Sequence, residues 1–227
     1  MEDDSRPSAE APLTAQFATE RMNALTDGVF AIVLTLLVLE LRLPEQDESI
    51  LTLLVDDWRV FVAWLISFVL IARFWLVHHA VTAGLHHCRS VTLALNFGVL
   101  GAVSLVPFSA DLIGTERIAE PWSTVVFAGN VGLLSLTVGL LARHVLLEPG
   151  LLHPDRSLAL LSRHRVRHLY ALPTVAMASA LLAFVQPYLA VGVLVAEFVF
   201  FLGSSWHVQT ASRVHHLRSH APLKGSS

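Results

Sequence analysis

The sequence predicts an all-α membrane protein with six transmembrane helices per chain, and three observations carry that prediction. Of 227 residues, 54% are hydrophobic and 15% charged, whereas soluble domains carry about 25% charged residues. Apolar stretches of span length recur six times along the chain. Lys and Arg are segregated between alternate connections, as short loops of membrane proteins require.

The first span runs from about Glu20 to Leu43 and is ended by Pro44. The second covers about Trp58 to Leu85 and is interrupted by Arg73. The third, Ser90 to Ala110, holds no charge. The fourth, Pro121 to Ala142, starts on a proline, tolerated there because its missing N–H would be unpaired anyway. The fifth and sixth share one apolar tract, Leu169 to Trp206, which Gln186-Pro187 divides. These boundaries define a membrane domain over 19–208, flanked by mobile cytoplasmic tails at 1–18 and 209–227. Residues 143–166 form the longest cytoplasmic connection, and HPDRSLALLSRHRVRH within it reads as a short interfacial helix capped by Asp155, its basic face toward lipid headgroups.

With the N-terminus cytoplasmic, that side holds Arg6, Arg21, Arg89, Arg143, Arg156, Arg163, Arg165, Arg167, Arg213, Arg218 and Lys224. The outer side holds only Arg42, Arg59 and Arg117. Both termini are therefore expected in the cytoplasm. The outer loops carry acids instead, among them Glu45, Asp47, Glu48, Asp56 and Asp57, which raise local cation concentration or are simply solvated.

Several classes are excluded. The single cysteine, Cys88, rules out an intrachain disulfide, a zinc ribbon and an iron–sulfur cluster. The polar, acidic first twenty residues do not read as a cleavable signal peptide. His78, His79, His86, His87 and Cys88 are metal-ligand types, but adjacent histidines on a helix point to different faces, so no metal site and no cofactor is expected. No cluster of polar catalytic groups sits at one membrane depth, so the chain does not read as an enzyme. Nothing points to nucleic acid.

The stretch LTDGVFAIVLTLLVLE, Leu25 to Glu40, poses the sharpest question. Its uncharged part, Gly28 to Leu39, spans roughly 18 Å at about 1.5 Å per residue, against a hydrocarbon core about 30 Å thick. On a helical wheel Gly28, Ile32, Thr35, Leu36 and Leu39 form one stripe, and Asn23, Thr26, Asp27, Phe30, Leu34, Leu37 and Leu41 fall elsewhere. An unpaired carboxylate facing lipid costs several kcal/mol, so Asp27 is expected to face protein, a cavity or the headgroups. The first span thus reads as an inner helix, shielded by neighbours.

RMNALTDGVFAIVLTLLVLE resembles the signature of the transmembrane protein 175 family of potassium channels, found in animal endolysosomes and bacterial membranes. The hallmark is an Arg, three residues, Phe-Ser-Asp, then an Ala-Ile…Thr-Leu-Leu helix. Here it reads Arg21, Leu25-Thr26-Asp27, Ala31-Ile32 and Thr35-Leu36-Leu37, and it continues through Ser67-Phe68, Phe74-Trp75, His78-His79, Asn96 and Pro107-Phe108. The likeness covers roughly residues 20 to 112. Leu25 and Thr26 replace Phe and Ser, keeping bulk and hydroxyl, and Arg73 stands where a small or apolar residue is expected.

The resemblance implies a single six-span repeat that assembles as a homotetramer around a pore lined by the first helix. Ile32, Leu36 and Leu39 then form apolar rings and Thr35 a ring of hydroxyls. Taken alone, an apolar stripe reads first as packing. Arg21, Thr26, Asp27, Trp75, His78 and Asn96 are expected to form a structural polar network near the cytoplasmic end. The implied activity is passive conduction of potassium, with modest selectivity over sodium, across a bacterial plasma membrane; the partners are the lipid bilayer and monovalent cations. Thr137-Val138-Gly139 imitates a carbonyl-lined filter but lies mid-span and is followed by Leu140-Leu141.

The competing reading is a proton-coupled secondary transporter using Glu197, which lies about 12 Å deep in the membrane; Arg73 lies about 20 Å deep. Glu197 with Arg73, or Asp27 with Arg73, would make an intramembrane ion pair. Against a transporter stand the absence of an internal repeat and of a helix broken mid-span. A zinc exporter is disfavoured because Ala171 to Gln186 offers neither acid nor histidine.

Overall fold

A computed structural model of the chain describes residues 10–41, 49–151, 163–197 and 199–200, and all its regular elements are helices. α1 (Glu10–Leu36) tightens into a 3-10 turn over Leu37–Glu40. α2 (Ile50–Asp56) is a short helix leading into α3 (Trp58–Thr82). α4 (Ser90–Ser104) and α5 (Val106–Gly114) together make up one apolar stretch of span length, Ser90–Gly114. α6 (Pro121–Leu147), α7 (Arg163–Leu182) and α8 (Pro187–Glu197) complete the described chain.

Four stretches are long and apolar enough to cross a membrane: Thr19–Glu40, Trp58–Thr82, Ser90–Gly114 and Pro121–Leu147. The fifth and sixth expected spans occur as shorter apolar helices, Ala171–Leu182 and Pro187–Glu197, separated at the Gln186-Pro187 break. The remainder of the sixth, to Trp206, lies outside the described residues, as do residues 1–9 and the expected C-terminal tail.

Three local features differ from the sequence expectations. α1 begins at Glu10, inside the segment read as an N-terminal tail. Arg163 to His168, read as part of a separate interfacial helix, form the first turns of α7, because nothing between them and Ala171 breaks a helix; the rest of that expected helix lies outside the described residues. The third span is jointed at Leu105. Pro107 has no N–H to bond back to the preceding turn, and Leu105 N–H turns instead to the carbonyls of Ala102 and Val103.

α6 is the hub. Its span window is 56% buried within the chain, against 28% for that of α1. It packs against α3, α4, α5 and α7. Close packing relies on small residues, as is usual between membrane helices. A Cβ on Gly132 would stand 3.2 Å from the Ala176 Cβ of α7, and one on Gly114 would stand 3.3 Å from the Val60 Cα of α3. Across the break, the buried Ser179 hydroxyl donates to the Ala190 carbonyl at 2.6 Å and ties α7 to α8. The expectation that the first span is an inner helix is therefore not met within one chain. One side of α1 packs on the bundle and, among the described residues, the other has no neighbour.

Candidate pore surface and its polar support

The uncovered side of α1 includes the stripe read from the sequence, together with Leu25, Asp27, Ala31 and Val38. Met22, Thr26, Phe30, Val33 and Leu37 are buried; Ile32, Leu36 and Leu39 are 59%, 41% and 74% exposed. Gly28 and Thr35 are exposed beside them. At about 100° per residue the two sets stand on opposite sides of the helix. The 3-10 turn matters here, because residues three apart nearly eclipse in that geometry. It brings Leu39 into line with Leu36 instead of letting it drift around the helix. Thr35 Oγ1 donates to the Ile32 carbonyl at 2.7 Å. Its hydrogen is thereby used within the helix and its oxygen lone pairs are left for an external partner.

Behind the buried side, three helices meet through a directed chain of hydrogen bonds. His78 Nε2 lies 2.7 Å from Asn96 Oδ1. An amide oxygen only accepts, so the Nε2 of His78 carries the hydrogen. Asn96 Nδ2 donates to Thr26 Oγ1 at 2.9 Å, and Thr26 Oγ1 donates to the Met22 carbonyl at 2.9 Å. His78, Asn96 and Thr26 are all buried. The chain therefore runs from α3 through α4 to α1, with every link satisfied.

The six residues expected as one network divide. Trp75 Nε1 donates to Asp27 Oδ1 at 2.8 Å in an exposed pair, and the Trp75 ring stacks on that of His79 with centroids 5.6 Å apart. Thr26 and Asp27 are neighbours in sequence and so project about 100° apart, which sends them to different partners. Arg21 is exposed and stands outside both groups. Arg73 on α3 and Glu197 on α8 are each half-buried.

The same end of the bundle holds contacts not singled out from sequence. Thr92 Oγ1 and His144 Nε2 are 3.2 Å apart, linking α4 to α6. The Thr82 hydroxyl donates to the His78 carbonyl at 3.2 Å. Arg89 and Glu148 form an exposed ion pair at 2.9 Å. Cys88 Sγ lies 3.6 Å from Met22 Sδ, and burial pushes the Cys88 thiol above its ordinary pKa. Thr92 stands four residues from Asn96, one turn along the same face, and that spacing was the available signal. Thr137 Oγ1 donates to the Leu133 and Leu134 carbonyls at 3.0 Å, which keeps the filter-like tripeptide an ordinary helical turn. Among the described residues no three His, Cys, Asp or Glu side chains converge.

Residues 21–107 match the model of the family described as endosomal/lysosomal potassium channel TMEM175. A potassium channel of Chamaesiphon minutus is 30% identical over 203 residues, covering 85% of this chain and 96% of that one. A potassium channel of Streptomyces collinus is 30% identical over 122 residues, 53% of this chain and 59% of the relative. A Gallus gallus protein named endosomal/lysosomal proton channel TMEM175 is 26% identical over 162 residues, 67% of this chain but only 32% of that longer protein. The crystal structure of a lysosomal potassium-selective channel TMEM175 homolog from Chamaesiphon minutus superposes with a TM-score of 0.67 at 27% identity, covering 84% of this chain and 99% of that one. The matched segment contains the stripe of α1, the Thr26–Asn96–His78 chain and the Asp27–Trp75 pair. This chain belongs to the TMEM175 family, whose members are ion channels and not enzymes.

Proposed function

We propose that the chain is a potassium-conducting cation channel of the bacterial plasma membrane, with modest selectivity over sodium, in which four copies of α1 enclose the path. The observation that carries this reading is the uncovered α1 stripe, with large apolar side chains exposed opposite a fully packed face. Four copies arranged about an axis would bring Ile32, Leu36 and Leu39 into stacked apolar rings. Such rings gate by excluding water when narrow. The Thr35 oxygen, its hydrogen already donated to Ile32, offers lone pairs that replace part of a monovalent cation's hydration shell. The Thr26–Asn96–His78 chain and the Asp27–Trp75 pair hold α1 at a fixed rotation, so that the stripe stays aimed at the axis. Both termini face the cytoplasm in this arrangement, as the distribution of Lys and Arg favours.

Reconstitution of the full chain into liposomes under a potassium gradient tests the reading. A channel passes potassium flux that scales with driving force, and an imposed pH gradient alone drives none. Saturating potassium uptake that requires a proton gradient and disappears in Glu197→Gln would instead identify a proton-coupled transporter.

A further inference from the structure

We propose that Arg21 forms a cationic collar around the cytoplasmic mouth of the path and impedes potassium leaving the cell more than potassium entering it. The inference rests on the reading of α1 as the pore helix. α1 is continuous from Glu10 to Leu36, so one helical register joins its cytoplasmic end to the stripe. Arg21 stands three turns before Ile32 and within about 20° of it around the axis. Leu25, between them on the same line, is 47% exposed, and Arg21 is exposed as well. Their immediate neighbours Met22 and Thr26 are buried. The uncovered surface therefore runs unbroken from Ile32 down to Arg21.

Arg21 lies about 16 Å from Ile32 along the axis, at the cytoplasmic end of the Thr19–Glu40 span. The guanidinium is charged at every physiological pH. Among the described residues its side chain makes no hydrogen bond or ion pair. The adjacent acid, Glu20, stands about 120° around the helix from Ile32, off the line. At the opposite end the same span closes on an exposed acid, Glu40. Fixed charge at a mouth changes the local concentration of mobile ions. Cations are thus depleted where outward current begins and not where inward current begins. A single positive charge about 7 Å from a cation in water, unscreened, lowers its local concentration roughly threefold, and four copies would surround the mouth.

Single-channel potassium currents across a planar bilayer, in a Cys88→Ser background, test this. At about 10 mM potassium, where the screening length is about 30 Å, outward current should be smaller than inward current at equal and opposite voltage. At about 1 M, where that length is about 3 Å, the two should match. Arg21→Gln should raise the low-salt outward current at least about threefold, while Arg21→Lys and Arg143→Gln, a change at the same end of the bundle but on α6, keep the asymmetry. In assembled Arg21→Cys channels a cationic methanethiosulfonate should suppress the outward current and an anionic one should raise it. These reagents act after assembly, so they read charge independently of folding. Unchanged asymmetry in Arg21→Gln, its loss in Arg143→Gln, or the same effect of both reagents on Arg21→Cys would each overturn the proposal. Failure of the pore reading itself looks different: current through Ile32→Cys would survive modification, whatever the Arg21 variants do.

Discussion

Asn96 and Thr26 are joined by a 2.9 Å hydrogen bond from the Asn96 amide to the Thr26 hydroxyl, across the contact between α4 and the buried face of α1. Because Asn96 Oδ1 also receives His78 Nε2–H, one side chain fixes three helices. Replacing it with alanine leaves the His78 donor buried and unpaired. Asn96→Ala is expected to cost about 1–3 kcal/mol. The double variant with His78→Ala should cost less than the sum of the two single changes, since both remove the same bond. Thermal melting of the detergent-solubilised assembly measures this, and an unchanged melting temperature would contradict the role.

Asp27 has a different partner and a different expected effect. Asp27→Ala removes the acceptor of Trp75 Nε1, a bond to a charged group worth roughly 1.5 kcal/mol. Asp27→Asn keeps an acceptor oxygen in place. The alanine variant should yield less assembled protein and the asparagine variant close to normal amounts, with the potassium-to-sodium permeability ratio unaltered in both. A well-assembled Asp27→Ala protein that has lost its preference for potassium would make Asp27 an ion ligand instead.

The packing of α7 on the hub helix depends on the absence of a side chain at Gly132. Gly132→Val forces bulk against Ala176 and the Pro173 backbone, neither of which yields by rotating. Overpacking of this kind costs about 1–3 kcal/mol. The melting temperature should fall accordingly, whereas Gly101→Val, at a site where an added Cβ meets nothing within 4 Å, should leave it nearly unchanged.

Burial raises the Cys88 thiol above its ordinary pKa. The neutral thiol then dominates near neutrality, and the nucleophilic thiolate appears only as the pH climbs. Maleimide labelling of Cys88 at pH 7–8 should be slower than that of a free peptide thiol and should accelerate at higher pH. The sign for stability follows. Above the ordinary thiol pKa the folded chain holds a proton that the unfolded chain has released, so this group's contribution falls as pH rises through that window. Labelling as fast as the peptide at pH 7 would contradict the burial effect.

Much of the fold was legible because membrane helices announce themselves by length and apolarity. The first four spans fall within a few residues of their expected places, and Gln186-Pro187 breaks the last tract. The faces of α1 were legible too, since one helical register fixes both Ile32 and Phe30. The rest depended on contacts between distant segments. Nothing local in α6 marks it as the hub; its role rests on glycines such as Gly132 that admit a neighbour. The division of the polar residues into a buried chain and an exposed pair needed the positions of α3 and α4, because Thr26 and Asp27 look equivalent until their neighbours are known. The extension of α7 to Arg163 was obscured by basic residues that suit an interfacial helix and a projecting one equally well.

The central claim is that the uncovered stripe of α1 borders the ion path while the opposite face does not. Cysteine substitution in a Cys88→Ser background, with potassium current across a planar bilayer as the readout, tests it most directly. A charged thiol reagent should abolish most of the current through Ile32→Cys and leave Val33→Cys unaffected. Current through Ile32→Cys that persists unchanged, although mass spectrometry shows the cysteine to be modified, would contradict the account.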